Sequence, residues 1–342
     1  MRFELSEDQR DIQRTAREFL AARYPLEKLR DAEGDQHWDE VAGLGWPELA
    51  IPEDQGGQGL GIVELCVVAE EAGYALAPTP LLSTWAAGLL LSAAGKGERV
   101  TEGRRGTVAQ WDEDGGSDPE ESTLQPGERL TGVKIAVPDA AGADVIVVTA
   151  AGGRMFAVAG DDVTVEPADS LDTTRPLFTV RLDDAPAVEL RAGHDALSRA
   201  WHAIATATAA ESVGVAARAM DMAVAYAKER KQFGRAIGSY QAVSHACAQM
   251  LLEVEGARSV VYWAAWALDH DPEAVPAAAA AAKAYASDAG QRVTRSALQV
   301  HGGIGFTWEH DLHFLLKRAE ANAHAFGDAR WQREQVAAAL LD

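Results

Sequence analysis

The most informative part of this chain is Arg230-Lys-Gln-Phe-Gly-Arg-Ala-Ile-Gly-Ser-Tyr-Gln241, followed about sixty residues later by Gln299-Val-His-Gly-Gly-Ile-Gly-Phe306. Each stretch is a polar, glycine-containing break between two long alanine-rich segments with the character of helices. Segments that join helices carry function more often than packing. The sequence therefore predicts a helical bundle whose connecting segments bind a ligand.

The side chains of these two segments suit a nucleotide that carries phosphate. Arg230 is permanently charged and offers a fork of donors that matches phosphate oxygens. Gln241 and Gln299 are amides that donate and accept, so they can bind the edge of an adenine or a ribose. The second segment also contains three glycines that let the backbone approach a ligand closely: Gly302, Gly303 and Gly305.

Composition limits the classes of function that remain. The chain has 342 residues, 47% of them hydrophobic and 24% charged, which predicts a globular protein of two or three domains. A net charge of −21 argues against nucleic acid or anionic lipid as partners, so a phosphate-bearing ligand needs local cations. No stretch approaches the roughly 18 uninterrupted apolar residues of a membrane helix, and the first eight residues hold no apolar signal core. These observations predict a cytoplasmic protein.

No metal site is indicated by the cysteines and histidines. Cys66 and Cys247 lie in apolar helical contexts, which favours buried, reduced thiols. His310 and His313 have a spacing compatible with a metal ion, but no further ligand accompanies them.

Hydrophobic periodicity divides the chain into three predicted domains. Residues 1–103 read as an N-terminal helical domain, in which Ser6 and Gln9 form a capping box at the first helix. Residues 104–192 read as a small middle β-barrel or sandwich, and residues 193–342 as a C-terminal helical bundle. The fold class is thus mainly α with an inserted β domain.

The element boundaries follow from the same patterns. Helices are predicted at 60–74, 81–94, 196–230, 240–269, 275–299 and 309–325, and from 328 onward. Strands are predicted at 130–137, 144–149, 155–158, 163–165 and 177–182, with turns at 151–153, 160–162 and 183–184.

This order of domains, with these two motifs, resembles the acyl-CoA dehydrogenase family over essentially the whole chain. The stretches 226–234 and 301–306 are close matches, with Trp308 and Glu309 beyond them, and their combination is specific. The stretches 5–9 and 52–57 also resemble the first helical domain of that family.

The resemblance implies an FAD cofactor that lies between the middle and C-terminal domains and reaches a neighbouring subunit. Arg230, Gln232 and Phe233 would contact its pyrophosphate. Its adenine and ribose would meet Gln241, Gln299 and the Gly302-Gly303 pair. A structural alternative stays open, in which Arg230 forms a surface salt bridge and Gln241 is a solvated turn residue.

The middle domain departs from the family pattern. Ser117 fits one serine of the family turn that touches the flavin and the thioester, but Trp111 replaces the usual small hydroxyl residue. Ala136 stands where the family has a tryptophan that stacks on the flavin, and Pro138 replaces a threonine. Ser117 is equally well explained as part of an ordinary β-turn.

The resemblance implies an oxidoreductase of lipid metabolism, but the catalytic base of the family is missing from this sequence. In the family, a glutamate removes the α-proton of an acyl-CoA thioester while a hydride leaves the β-carbon for the flavin. The two positions at which family members carry this base hold Phe326 and Ile204. A displaced base would be Glu211 or another acid, and the alternative for Glu211 is an ion pair with Arg218 or with a neighbouring helix of the bundle.

Three functions remain open. In the first, the chain is the base-less subunit of a two-chain dehydrogenase and forms a heterotetramer with a base-bearing paralogue. In the second, it is a self-sufficient homo-oligomer with a displaced base. The third possibility is a flavin monooxygenase of the same fold, and the limiting case is a non-catalytic structural subunit. The resemblance implies electron-transfer flavoprotein as the electron partner. It leaves open whether the acyl group comes from fatty acid or steroid catabolism.

Overall fold

The computed structural model describes residues 4–31, 35–114 and 121–341. No helix within these ranges is long and apolar enough to cross a membrane. The helices are α1 (Glu7–Arg23), α2 (Trp38–Gly43), α3 (Ile62–Ala75), α4 (Leu81–Ala93), α5 (His194–Glu229), α6 (Gln241–His270), α7 (Val275–His301), α8 (Leu312–His324) and α9 (Ala329–Leu341). The strands are β1 (Gly106–Ala109), β2 (Trp111–Asp112), β3 (Arg129–Pro138), β4 (Val145–Ala150), β5 (Arg154–Ala159), β6 (Thr164–Ala168), β7 (Leu177–Glu189), β8 (Lys231–Gln232) and β9 (Arg235–Ala236).

The order of these elements confirms the predicted fold class. Helices precede and follow a sheet region in the middle of the chain. The predicted capping box is also confirmed, because Ser6 Oγ accepts from the Gln9 backbone N–H at 3.1 Å and Gln9 Oε1 accepts from the Ser6 N–H at 2.9 Å. Both bonds satisfy backbone donors that the first turn of a helix leaves unpaired.

The chain forms two compact units. The first comprises Met1–Ala32, Ile62–Ala77 and Ala205–Asp342, and the second comprises Glu33–Gly61 and Pro78–Ile204. The division into domains near residues 103 and 192 stays a prediction.

The second unit contains a seven-stranded sheet. Its order is β1-β4-β5-β7-β3-β2, and β6 also pairs with β7. β1 runs parallel to β4, and the other pairs of this sheet are antiparallel. Its core is aliphatic and aromatic, and fully buried members include Leu130, Ile146, Phe156 and Val180. Burial of this set, at about 25 cal/mol per Å² of apolar surface, drives formation of the sheet.

Three features of the sheet differ from the sequence prediction. β1 and β2 were not predicted, because the four residues of β1 show no alternation and β2 has only two residues. The turn predicted at Asp183-Asp184 is wrong, since β7 continues through both residues. Asp184 adopts a left-handed φ of +51° and donates its N–H to Thr131 Oγ1 at 3.1 Å. One left-handed residue and a contact from β3 therefore take the strand past a turn-forming pair.

The first unit is a helical bundle in which α3 and α5 approach closely. A Cβ on Gly73 would lie 2.1 Å from the Glu211 carbonyl oxygen, and one on Gly214 would lie 1.9 Å from the Glu70 carbonyl oxygen. Only glycine fits at these crossing points. This contact fixes the part of α5 that carries Glu211.

Candidate functional site

The first predicted FAD-contact segment forms a tight hairpin after α5. Lys231 pairs with Ala236 and Gln232 with Arg235, and Phe233 and Gly234 make the turn with φ of +51° and +81°. A two-residue turn with both φ values positive matches the twist of a hairpin, although an aromatic residue rarely occupies it. The Phe233 side chain is 94% exposed. An exposed ring in an unusual conformation indicates a contact surface.

The polar side chains of this hairpin are available to a ligand. Arg230 and Gln232 are exposed. In the structure's described ranges, neither side chain has a hydrogen bond or ion pair with another residue. The backbone is held instead, because the Ile237 N–H donates to the Arg230 carbonyl at 2.8 Å. The alternative of a surface salt bridge at Arg230 thus gains no support.

The second segment follows the end of α7. Gly302 ends the helix with φ +64° and ψ −140°, a conformation that belongs almost only to glycine. A Cβ added at Gly302 or Gly303 would meet no atom within 4 Å, so the space beside this backbone is open. Gln299 is exposed one turn earlier. These residues leave room for a ligand to approach the backbone.

Stacked rings bring the two segments together. The ring of Tyr226, near the end of α5, lies 4.6 Å from that of His301, the last residue of α7. His310 packs edge-on against His301 at 4.5 Å. The His301 Nδ1 binds the Ala297 carbonyl at 2.8 Å, and burial lowers the pKa of this imidazole. A neutral ring at neutral pH suits this stack. Gln241 is exposed at the start of α6, just after the first hairpin.

The nearby histidines pack against aromatic rings. His313 lies 5.0 Å from the Trp308 ring and 4.1 Å from the Phe314 ring. Over residues 4–31, 35–114 and 121–341, no group of three or more His, Cys, Asp or Glu side chains could hold a metal ion.

The middle domain fits a flavin poorly. Ala136, at the position of the family's tryptophan, has a left-handed φ of +51° within an irregular stretch of the β3–β7 pairing. It offers no ring for stacking. Pro138 has no backbone N–H, and its carbonyl accepts from the Thr107 hydroxyl. Ser117 lies outside the described residues.

A buried lysine forms hydrogen bonds with the polar groups beside this region. Lys134 is fully buried, and its ammonium donates to the Asp112 carboxylate, to Ser122 Oγ at 3.1 Å and to Thr149 Oγ1 at 3.0 Å. Burial lowers the pKa of Lys134, and Asp112 opposes that change. Burial acts to raise the pKa of Asp112, but hydrogen bonds from Lys134 and the Thr123 backbone outweigh it, so this pKa is lowered. The pair is ionised and satisfies itself.

An acidic cleft of about 500 Å³ adjoins this pair. Asp112, Glu113 and Asp114 line one part of it, and the described residues of the lining include no lysine or arginine. An excess of carboxylates repels the phosphates of a CoA thioester. The lining is completed by Thr123, Leu124, Gln125, Thr131, Gly132 and Val133.

The first predicted base position holds an aromatic residue in a well-fixed turn. Phe326 lies between α8 and α9 with a left-handed φ of +54°, and Gly327 follows with φ +91°. The Phe326 carbonyl accepts from Gln332 Nε2 at 3.0 Å. The neighbouring carboxylate, Asp328, accepts from the Trp331 backbone N–H at 2.8 Å at the start of α9. The base position itself therefore holds no carboxylate, and the neighbouring carboxylate of Asp328 caps α9.

The second base position holds an apolar residue, and the displaced candidate is hydrogen-bonded to other side chains. Ile204 is apolar and 1% exposed. Glu211 is 4% exposed, and its two oxygens accept from Arg318 Nη1 at 3.0 Å and Asn322 Nδ2 at 2.8 Å. Both oxygens are therefore engaged in structural hydrogen bonds, which disfavours a role as a general base. No role was predicted for Arg318 and Asn322 from the sequence, although their i, i+4 spacing on α8 could have indicated a shared partner.

Two family profiles match the chain. "Acyl-CoA dehydrogenase, N-terminal domain" matches residues 6–98, and "Acyl-CoA dehydrogenase, C-terminal domain" matches residues 192–341. These matches cover more than half of the chain. The chain therefore belongs to the acyl-CoA dehydrogenase family, which confirms the resemblance of its motifs.

Individual relatives agree with this membership. The acyl-CoA dehydrogenase FadE34 of Mycobacterium tuberculosis is 38% identical over 300 residues, which are 87% of this chain and 41% of FadE34. The chain thus spans less than half the length of that relative. The solved Tcur3481-Tcur3483 steroid ACAD variant is 31% identical, with a TM-score of 0.88 and coverage of 98% of each chain. The ChsE4-ChsE5 complex from Mycobacterium tuberculosis is 28% identical, with a TM-score of 0.88 and coverage of 100% of this chain and 99% of that one.

Proposed function

We propose that this chain is the base-less subunit of a heteromeric acyl-CoA dehydrogenase. It lends an FAD-contact surface to a base-bearing paralogue and removes no proton itself. The observation that carries the proposal is the turn at Phe326, which is held in place on both sides but has no carboxylate at the base position. Glu211, the displaced candidate, is committed to Arg318 and Asn322.

FAD is the cofactor, and family membership confirms this prediction. When bound, FAD supplies the hydride acceptor of the family reaction. The donor chemistry of the C-terminal segments fits this group, whereas Ala136 and Pro138 give the middle domain no wall for a flavin. The residues that would hold the pyrophosphate, adenine and ribose are Arg230, Gln232, Phe233, Gln241, Gln299, Gly302 and Gly303.

The partner in this proposal is a paralogous subunit, assembled with this chain as a heterotetramer. The similarity to the ChsE4-ChsE5 complex supports a two-chain assembly. The paralogue supplies the glutamate, the flavin wall and the thioester site, while electron-transfer flavoprotein takes the electrons. A homo-oligomer is the alternative outcome. Location in the cytoplasm stays a prediction.

The proposed substrate is an acyl-CoA with a steroid-derived acyl group. The similarity to the Tcur3481-Tcur3483 steroid ACAD supports this class over simple fatty acyl chains. Because the cleft at Asp112–Asp114 is acidic, the CoA moiety is expected to bind the paralogue and not this chain.

Co-production with a base-bearing paralogue from the same organism tests the proposal. We expect a stoichiometric heteromer that carries FAD and oxidises a steroid acyl-CoA, with activity lost when the paralogue's glutamate is changed to glutamine. A purified homo-oligomer of this chain that holds FAD and turns over acyl-CoA would instead support a self-sufficient enzyme.

A further inference from the structure

A fully buried lysine lies beneath the α8–α9 turn. Lys283 stands in the third turn of α7, and its side chain is inaccessible to water. Its nitrogen lies within hydrogen-bond distance of Ser287 Oγ at 3.0 Å, the Gly327 carbonyl at 3.0 Å and the Ala323 carbonyl at 3.4 Å. Three oxygens therefore surround the amine, one from α7, one from α8 and one from the turn itself.

All three acceptors are uncharged, so this amine lacks an ion-pair partner among the residues that the structure describes. Asp328 is the charged group whose field acts on it, and that carboxylate accepts from the Trp331 backbone. A buried ammonium held only by neutral oxygens is costly. Further charged side chains on the packed helices are paired elsewhere: Asp288 with Arg333, Glu320 with Arg295, Glu253 with Arg292, and Arg318 with Glu211.

We propose that Lys283 is a proton-sensitive clamp on the α8–α9 turn, and that protonation of its amine favours opening of this turn. In the closed turn, the amine is out of water and bound to neutral oxygens. In an opened turn, the amine reaches water, where its charged form is stable. The open state therefore binds a proton more readily than the closed state.

The direction of the pH effect follows from this difference. Burial lowers the pKa of Lys283 from 10.5 to about 7, with Asp328 acting in the opposite sense. Between these two values the open turn carries the proton and the closed turn does not. The equilibrium constant for opening thus falls about tenfold per pH unit across this window and is flat below it.

The α8–α9 turn, which Lys283 contacts, is the turn at which other family members carry a base. Lys283 holds the Gly327 carbonyl, and Gln332 holds the Phe326 carbonyl from α9 at 3.0 Å. Opening would release both residues and the start of α9 together. The proposal needs neither FAD nor a partner, so it stands apart from the proposed function.

Hydrogen exchange of the full-length chain, measured by mass spectrometry and corrected for chemical exchange, tests the clamp. At about pH 6, 7, 8 and 9, the opening constant of residues 323–332 should be level between the first two values and fall about tenfold per unit above them. Lys283→Met should abolish this slope, because a thioether binds no proton. Lys28→Met, which removes an exposed lysine of the same unit, should retain it.

Two outcomes would overturn the proposal. One is a level opening constant in the wild-type chain from pH 7 to 9, and the other is a slope that survives in Lys283→Met. If Lys283→Met does not fold, Lys283→Arg provides a second variant. Its guanidinium stays charged throughout, so its turn should open readily at every pH without a slope.

Discussion

The FAD-contact segments and the displaced base candidate Glu211, all within the first unit, present their polar groups in opposite ways. Arg230, Gln232 and Gln299 are exposed, and in the described chain nothing binds their side chains. Glu211 is buried, and both its oxygens are occupied by partners on α8. The FAD-contact segments leave their donors available to a ligand, whereas the Glu211 carboxylate is used in a buried structural ion pair. This contrast is what a subunit that binds a cofactor but lends no base should show.

The largest expected effect concerns the buried pair. Arg318→Ala should lower the free energy of unfolding by about 3–5 kcal/mol, because it leaves the Glu211 charge buried and unpaired. Urea denaturation measures this loss. The matched control is Arg330→Ala, which removes an exposed arginine paired with Glu334 on α9 and should cost about 0–1 kcal/mol.

A second variant separates structure from catalysis at the same site. Glu211→Gln keeps the shape and one acceptor, and the assembled heteromer should retain its turnover. A loss of turnover by about 10²–10⁴-fold in a folded, flavin-loaded Glu211→Gln heteromer would mean that Glu211 is the base and that the contrast fails.

A smaller effect is expected in the exposed region. Arg230→Ala should weaken flavin binding by about 1.5–3 kcal/mol, the value of a hydrogen bond to a charged group, with no loss of fold. Equilibrium dialysis of FAD from the heteromer measures the change. Lys228→Ala, an exposed cation two residues away, is the control and should leave FAD affinity unchanged. Full flavin retention by Arg230→Ala would remove Arg230 from the cofactor surface.

The smallest effect tests the altered flavin wall. Ala136→Gly should stabilise the chain by about 0.4–1 kcal/mol, because glycine adopts the left-handed φ without strain. Ala159→Gly, at a residue with an ordinary φ of −71°, should destabilise it by a similar amount. Thermal unfolding distinguishes the two signs. Equal destabilisation by both changes would show that Ala136 is unstrained.

The sequence predicted features that depend on local order. The capping box at Ser6 and the breaks between the long helices follow from residue chemistry within a few positions. The continuation of β7 through Asp183-Asp184 was not predicted, because the contact with β3 overrides the local preference of these residues for a turn. The partners of Glu211 lie more than a hundred residues away along the chain. The sequence could therefore show that the two family base positions lack a carboxylate, but it could not identify the residues that bind Glu211. The burial of Lys283 likewise depends on how α7, α8 and the turn pack.

Turnover by the isolated chain shows whether it can remove a proton without a partner. Purified alone, with FAD added, the chain is assayed for reduction of an artificial electron acceptor with short, branched, long, aromatic and steroid acyl-CoAs. Our account predicts turnover at least about 10²–10⁴-fold below that of the heteromer, because neither Phe326 nor Ile204 can accept a proton. Turnover by the isolated chain on the order of 1–10³ s⁻¹, the usual range for enzymes, would contradict it.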